Sequence, residues 1–264
     1  MDTRGRIRVG IGGWTYEPWR GTFYPEGLPQ KRELEYASRQ LTSIEINGTY
    51  YRLQKPESFE KWREETPEDF VFSLKAPRYV TNRKVLAEAG EAIERFLNSG
   101  LLLLGDKLGP INWQFMANKQ FDPEDFEAFL KLLPPSHESR PLRHAVEVRH
   151  ESFRVPEFLE LLRTYGVAAV ISSEGEFPQI ADPTADFIYA RIMGTREDEP
   201  LGYSSAMLES WAEKLRIWAA GGLPEGLAYL GPKASSEARD VYLYVISGHK
   251  VRNPQAARAL IASP

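Results

Sequence analysis

Cysteine is absent from all 264 residues. That excludes a disulfide framework, a thiol nucleophile, a zinc–thiolate centre and a cysteine-ligated iron–sulfur cluster. Long apolar runs are missing as well. The tightest, Leu101 to Leu104, is flanked by glycines and followed by Asp106 and Lys107, far short of the roughly 18 residues of a membrane-crossing helix. The start, Met1-Asp2-Thr3-Arg4-Gly5-Arg6, has no apolar core of a secretory signal. A cytoplasmic setting and no membrane partner are therefore expected. Positive charge is not in excess either. Lys and Arg number 33 against 37 Asp and Glu, giving a net charge of −4. That balance disfavours broad attraction to nucleic acid, although a local basic patch remains open. No Gly-x-Gly-x-x-Gly follows a strand and no phosphate-loop lysine appears, so nothing points to a nucleotide cofactor.

What remains is the balance of an ordinary globular chain, 42% hydrophobic and 27% charged. One domain over residues 1–264 is expected, since α/β barrels routinely reach this size undivided. Eight short apolar or alternating runs read as strands: Ile7–Ile11, Ser43–Asn47, Val71–Lys75, Ile111–Phe115, Ala145–Arg149, Ala168–Ser172, Phe187–Ile192 and Val241–Ile246. Between them the pattern predicts helices near Lys31–Gln40, Glu57–Glu65, Glu88–Leu103, Pro123–Leu132, Val155–Tyr165 and Ser204–Ala220, with a last one near Gln255–Ile261. Asp122-Pro123 is a helix start, a capping side chain followed by proline at the first helical position. The Gly-, Pro- and Ser-rich stretch from Gly221 to Asp240 reads as a long loop. Strands alternating with helices imply a parallel sheet, and eight such units predict an α/β fold closed into a single (β/α)₈ TIM barrel.

Side chains alternate faces along a strand. If the isoleucines of Ser43–Asn47 meet the helices, Glu45 and Asn47 point into the barrel. The same argument turns Ser73 and Lys75, then Gln114, then Glu147 and Arg149, then Tyr189 and Arg191, toward the axis. These residues cluster at the C-terminal ends of their strands, where barrel enzymes place their active sites. A structural network of ion pairs is the competing explanation, but buried charges are costly even when paired. Five strands contributing to one cluster favour a site.

Lys75 could be a base or a Schiff-base nucleophile if burial and nearby cations lower its pKa, or simply a charge partner for an anion or for Glu45. Glu45 and Glu147 could act as an acid/base pair or hold the cations in place. His150, directly after the fifth strand run, is the one histidine of four beside the cluster. His137, His144 and His249 read as loop or strand-entry residues. His150 with the two glutamates could bind a divalent metal, which so histidine-poor a rim does not favour. Behind Gly12-Gly13 lie Trp14, Tyr16 and Trp19, mostly a satellite core, with Trp14 the one placed to touch ligand. The stretch Lys75–Lys84 (KAPRYVTNRK) is the best candidate for a phosphate or nucleic-acid contact, and Gly194-Thr195-Arg196 a weaker phosphate cradle.

With these residues laid out, the chain resembles the YecE-like family, domain of unknown function 72. The likeness rests on Gly12-Gly13-Trp14 with Trp19-Arg20-Gly21-Thr22-Phe23-Tyr24-Pro25, on Glu45-Ile46-Asn47-Gly48-Thr49-Tyr50-Tyr51, and on Lys75-Ala76-Pro77. Further matches are Leu108-Gly109-Pro110 leading to Gln114, then Glu147-Val148-Arg149-His150, and Tyr189-Ala190-Arg191 leading to Gly194. The resemblance implies a TIM barrel but no particular reaction. This chain also departs from the family pattern. Asn82 stands where a histidine usually follows Thr81, and Met193 stands for another. Gln114-Phe115-Met116-Ala117 replaces Gln-x-Pro-Pro, and Val245-Ile246-Ser247-Gly248-His249-Lys250 replaces an amide-rich stretch. Proton transfer or metal binding through those missing groups is thereby put in doubt.

Three functions are consistent with this reading. The first is an enzyme of hydrolase or lyase/isomerase type acting on a small polar, anionic or phosphorylated compound. Glu45, Lys75, Glu147 and His150 would be catalytic, and Trp14, Asn47, Tyr50, Gln114, Arg149, Tyr189 and Arg191 would bind substrate. The second is a degenerate barrel that binds a ligand or partner without turnover. The third is a nucleic-acid-binding or nucleic-acid-processing protein.

Overall fold

A computed structural model describes residues 4–231 and 237–263. Eight parallel strands close into a barrel. They are β1 (Ile7–Gly12), β2 (Ser43–Ile46), β3 (Val71–Lys75), β4 (Leu108–Gln114), β5 (His144–Glu147), β6 (Ala168–Ser173), β7 (Phe187–Ile192) and β8 (Asp240–Val245). Each pairs with its sequence neighbours, and β1 closes on β8 through the register Ile7↔Val241 to Ile11↔Val245. This is the TIM-barrel topology expected from the sequence. Around it run α1 (Glu33–Gln40), α2 (Gly48–Tyr51), α3 (Pro56–Glu65), α4 (Arg78–Thr81), α5 (Gly90–Leu97), α6 (Pro123–Lys131), α7 (Pro156–Tyr165), α8 (Ser205–Ala219) and α9 (Asn253–Ala262).

Local chemistry accounts for several boundaries. The Asp122 carboxylate accepts the Glu124 and Asp125 N–H groups, with Pro123 at the first helical position, so α6 starts where expected. Ser204 caps α8 by accepting from Met207 N–H. The helix expected over Glu88–Leu103 is instead broken into three pieces. A 3₁₀ turn (Leu86–Ala89) leads into α5, which ends at Leu97, and a second 3₁₀ segment follows over Leu101–Lys107. Gly100, at φ 101°, turns the chain out of the helix, a conformation that side-chain-bearing residues rarely adopt. The short helices α2 and α4 and a hairpin of Ser136–His137 with Arg140–Pro141 were not foreseen. They carry too few residues to show a period. The loop expected over residues 221–240 contains no helix or strand before Asp240 among its described residues; residues 232–236 lie outside them.

Two apolar groups fill the structure. One lies between the sheet's outer face and the helices, where Trp113, Phe115, Phe126, Phe129 and Phe153 pack edge to face. The other fills the barrel's interior with Val71, Ala145, Val170, Phe187, Tyr189, Tyr242 and Tyr244. On the interior face of β1, Gly10 leaves room for β2, because a Cβ there would lie 1.9 Å from the Ser43 carbonyl oxygen. Apolar packing thus occupies the lower and middle barrel, and the polar side chains are left for the C-terminal mouth. Among the described residues no helix is long and apolar enough to cross a membrane.

Candidate functional site

The barrel mouth is organised around Arg191, at the end of β7. Its Nη1 donates to Glu147 Oε2 at 2.7 Å and its Nη2 to Glu45 Oε1 at 2.9 Å, so one guanidinium ties β5 to β2. Arg149 grips the other oxygen of Glu147, with Nε at 3.0 Å and Nη2 at 2.8 Å from Oε1. Asn112 Nδ2 adds a bond to Glu147 Oε2 at 3.1 Å. The second oxygen of Glu45 accepts from the Tyr189 hydroxyl at 2.5 Å. With its proton committed there, Tyr189 accepts from Ser73 at 3.0 Å. Below them, Ser43 donates to the Val71 carbonyl and so accepts from the Tyr244 hydroxyl at 2.8 Å.

Both glutamates are fully buried, and both oxygens of each are engaged. Burial pushes the Glu147 carboxyl upward, but Arg191, Arg149 and Lys75 outweigh it and hold it at about 2. Burial, then Glu45, raises Tyr189 well above its usual value. Glu147 is therefore a permanent anion that positions arginines, and a poor proton donor at neutral pH.

Lys75 differs from every other charge in the cluster. It is buried at the end of β3, yet among the described residues its Nζ finds no hydrogen-bond acceptor and no carboxylate within ion-pair distance. It lies over the Tyr50 ring, whose centre is 4.3 Å away. Burial lowers its pKa, Arg191 and to a lesser degree Arg149 lower it further, and Glu45 and Glu147 only partly compensate, leaving it at about 8. The α2 turn that carries Tyr50 is held in place by Thr49, whose hydroxyl donates to the Lys75 carbonyl at 2.7 Å. Gln114 Nε2 reaches the Tyr50 hydroxyl at 3.4 Å. Three cations thus face two carboxylates, and one positive charge is left over at the mouth.

Several buried polar atoms around that charge have no partner: Asn112 Oδ1, Gln114 Oε1, Ser172 Oγ and Arg191 Nε. Strand register places them near one another, with Lys75 beside Asn112, Gln114 beside Glu147, and Ser172 beside Arg191. Unpaired buried polar atoms cost about 1–3 kcal/mol each unless water or a ligand meets them. Phe177, in the connection after β6, lies over the Arg149 guanidinium at 4.2 Å and partly covers the mouth.

Of the residues expected at the site, Glu45, Lys75, Glu147, Arg149, Tyr189, Arg191, Gln114 and Tyr50 come together. Three others stand apart. Asn47 begins the turn after β2 and, with Trp14, Trp62, Gln54 and Lys250, lines a separate cleft of about 430 Å³. Trp14 packs edge-on to Trp62 at 5.3 Å, while Tyr16 and Trp19 join the aromatic cluster with Phe23 and Tyr24. His150 turns to its own loop, where its Nδ1 accepts from Ser152 N–H at 3.1 Å. Nor is there, among the described residues, a group of three His, Asp or Glu side chains placed to hold a metal ion.

Other sequence signals resolve differently. The N–H groups of Gly194 and Arg196 are taken by Tyr203 and Gly202. The basic stretch from Lys75 to Lys84 is not one continuous strip, because Lys75 turns into the barrel while Arg78 lies over Tyr51 outside. His144 is a core residue, accepting from Trp113 Nε1 at 3.1 Å and donating to the Pro134 carbonyl at 2.8 Å. Sequence reasoning missed Asn112, Ser172 and Phe177. Alternation back from Gln114 would have found Asn112, and alternation along β6 would have found Ser172. A loop phenylalanine carries no such signal.

Two further clefts lie at the N-terminal pole. One of about 780 Å³ is lined by Arg4, Arg6, Arg8, Asp69 and Arg216, and one of about 300 Å³ by Arg143, Asp240 and Tyr242 among others. Their arginines are largely engaged: Arg8 donates to the Asp69 carbonyl, and Arg143 pairs with Asp240 at 2.8 Å. The chemistry concentrates at the opposite end.

The family described as "Protein of unknown function DUF72" matches residues 8–263. UPF0759 protein YecE of Escherichia coli K12 is 30% identical over 150 residues, 56% of this chain and 50% of that protein. UPF0759 protein YunF of Bacillus subtilis 168 is 25% identical over 182 residues, 67% of this chain and 62% of that protein. The chain thus spans between half and two thirds of the length of these curated relatives. A crystal structure of a DUF72 family protein from Thermotoga maritima MSB8 superimposes with a TM-score of 0.69 over 97% of both chains at 24% identity, a likeness of fold.

Proposed function

This chain belongs to the DUF72 family, and we propose that it is an enzyme of hydrolase or lyase/isomerase type whose substrate is a small polar anion bound at the C-terminal mouth of the barrel. The observation that carries this reading is Lys75, a largely buried lysine whose ammonium has no hydrogen-bond acceptor among the described residues, while the two glutamates of the cluster are already spent on arginines. A protein that only needed an internal ion-pair network had no use for the third cation. Leaving a charge buried and unpaired is expensive, and burial with shifted titration marks functional sites more often than structural ones.

In this reading the roles divide by what each side chain has left to offer. Arg191 is held by Glu45 and Glu147 and sets the positive potential of the floor. Arg149 spends Nε and Nη2 on Glu147, while Nη1 is left for the substrate's anionic group. Lys75 neutralises that group and, titrating near pH 8, takes or gives the proton at the reacting centre. Gln114 Oε1 and Asn112 Oδ1 accept from substrate hydroxyls. Glu45 and Glu147 become positioning residues.

The test is a thermal-shift series in phosphate-free buffer with sugar phosphates, sugar acids and short hydroxy- and oxo-acids, followed by product detection by NMR. The expected result is stabilisation by one anion class that disappears in Lys75→Met and Arg149→Met. Equal stabilisation of the two variants, or none by any anion, overturns the proposal. Binding without product would support a barrel that holds its ligand without turnover.

A further inference from the structure

We propose that Lys75 forms an imine with a small carbonyl compound carrying an anionic group. This inference rests on the anion-site reading above and goes further, because it specifies the functional group that reacts.

Three features of the geometry point to a nucleophile rather than a simple charge partner. First, the nitrogen is uncommitted. A lysine that exists to bind a carboxylate or to bolster a fold is normally hydrogen-bonded to it, whereas Lys75 Nζ lies over the Tyr50 ring face and has no hydrogen-bond acceptor among the described residues. Second, the potential partners are already saturated. Glu45 and Glu147 each use both oxygens on Arg191, Arg149, Asn112 and Tyr189, so neither can swing across to trap the ammonium. Third, burial and the guanidiniums of Arg191, on β7, and Arg149, after β5, favour the neutral, nucleophilic form of Lys75, and Glu45 and Glu147 only partly oppose them.

The step conserves atoms and charge. The neutral amine of Lys75 adds to the carbonyl carbon, the C=O pair moves to oxygen, and a proton passes from nitrogen to that oxygen to give a carbinolamine. The carbinolamine C–O bond then breaks, oxygen leaves as water after taking a second proton, and the nitrogen pair closes the C=N bond. Counted from the resting ammonium, one carbonyl enters, one water leaves and the positive charge stays on nitrogen as an iminium. No oxidant or reductant is needed. The surrounding groups suit each stage. The Tyr50 hydroxyl, which accepts from Gln114 Nε2, can pass the proton between nitrogen and oxygen. Arg149 Nη1 and the unpartnered Arg191 Nε can hold the anionic group. The low exposure of Lys75, 7%, keeps bulk water from the iminium.

The anionic group could be a carboxylate or a phosphate, and the probes separate the two. Protein at pH 7.5 is incubated with pyruvate, dihydroxyacetone phosphate or neutral acetone, reduced with sodium cyanoborohydride, and mapped by peptide mass spectrometry. Lactate serves as a carbonyl-free anion in parallel thermal-shift runs. The expected result is a reduced adduct at Lys75 from pyruvate or dihydroxyacetone phosphate, formed about tenfold or more faster than at any other lysine because more of its amine is neutral. Acetone should label it far more slowly. In Lys75→Arg, with an unfolding transition like that of the parent, the fast adduct should vanish.

Labelling spread evenly over surface lysines overturns the proposal. So does an unmodified Lys75 in protein that lactate and pyruvate both stabilise through Lys75, and in that case the anion site survives while the imine does not. No stabilisation and no adduct overturns both readings together.

Discussion

Arg191 Nη1 lies 2.7 Å from Glu147 Oε2, an ion pair between β7 and β5 in which the guanidinium is 5% exposed and the carboxylate not at all. The same arginine reaches Glu45 on β2. This three-strand junction decides what the rest of the mouth can do. It commits both oxygens of each carboxylate to hydrogen bonds and holds Glu147 ionised, while Lys75 is lowered to about 8.

Arg191→Met should cost about 3–5 kcal/mol in urea unfolding, because it removes the guanidinium shared by two buried carboxylates. The pH dependence gives a sharper signature. In the native protein the Glu147 carboxyl is held at about 2, below its ordinary 4.5. A carboxyl lowered by folding contributes stability that is present above its unfolded value and lost as pH falls toward the folded one. Acid unfolding followed by circular dichroism should therefore set in at higher pH in Arg191→Met than in the parent. Coincident acid limbs would show that Arg191 is not what holds Glu147 ionised.

Lys75→Met should stabilise the protein at pH 7. Folding lowers the lysine from 10.5 to about 8, so between those values the unfolded chain binds more protons and parent stability rises with pH. Below pH 8 the full cost of the buried ammonium is present, on the order of 1–3 kcal/mol after the Tyr50 contact is set against it. The methionine variant should be more stable by that amount at pH 7. Its advantage should shrink as pH climbs from 8 to 10.5. Destabilisation at pH 7 would mean that Lys75 is a structural charge.

His144→Leu tests the core. Burial lowers the imidazole from 6.5 to about 4, against the opposing bond to the Pro134 carbonyl. The native state therefore binds fewer protons than the unfolded chain between those values, and parent stability falls as pH drops from 6.5 toward 4. At pH 7 the variant should lose about 1–3 kcal/mol, since Trp113 Nε1 is left buried without its acceptor. The gap should narrow at pH 4.5, and chemical denaturation at the two pH values measures it.

How far the sequence reached can be judged from particular residues. Period-two alternation in Ser43–Ile46, Val71–Lys75 and Phe187–Ile192 made the inward direction of Glu45, Lys75, Tyr189 and Arg191 legible, because the pleat turns successive side chains to opposite faces. Asp122-Pro123 announced a helix start, since capping is chemistry among near neighbours in the chain. Helix interruption at Gly100 was harder, because an apolar period continues across a glycine whose φ only the packed chain settles.

Pairing was beyond reach. Which carboxylate meets which cation depends on the stagger between strands and on how the barrel closes, and Arg191 touches residues 44 and 146 positions away in sequence. The sequence by itself determined the eight βα units, the axis-facing polar residues and the absence of thiol chemistry, all set by local periodicity and composition. Only the tertiary structure decided that both glutamates are consumed, that His150 turns away and that Lys75 is left alone. Those outcomes follow from distances and desolvation, which exist only once distant strands are brought together around a common interior.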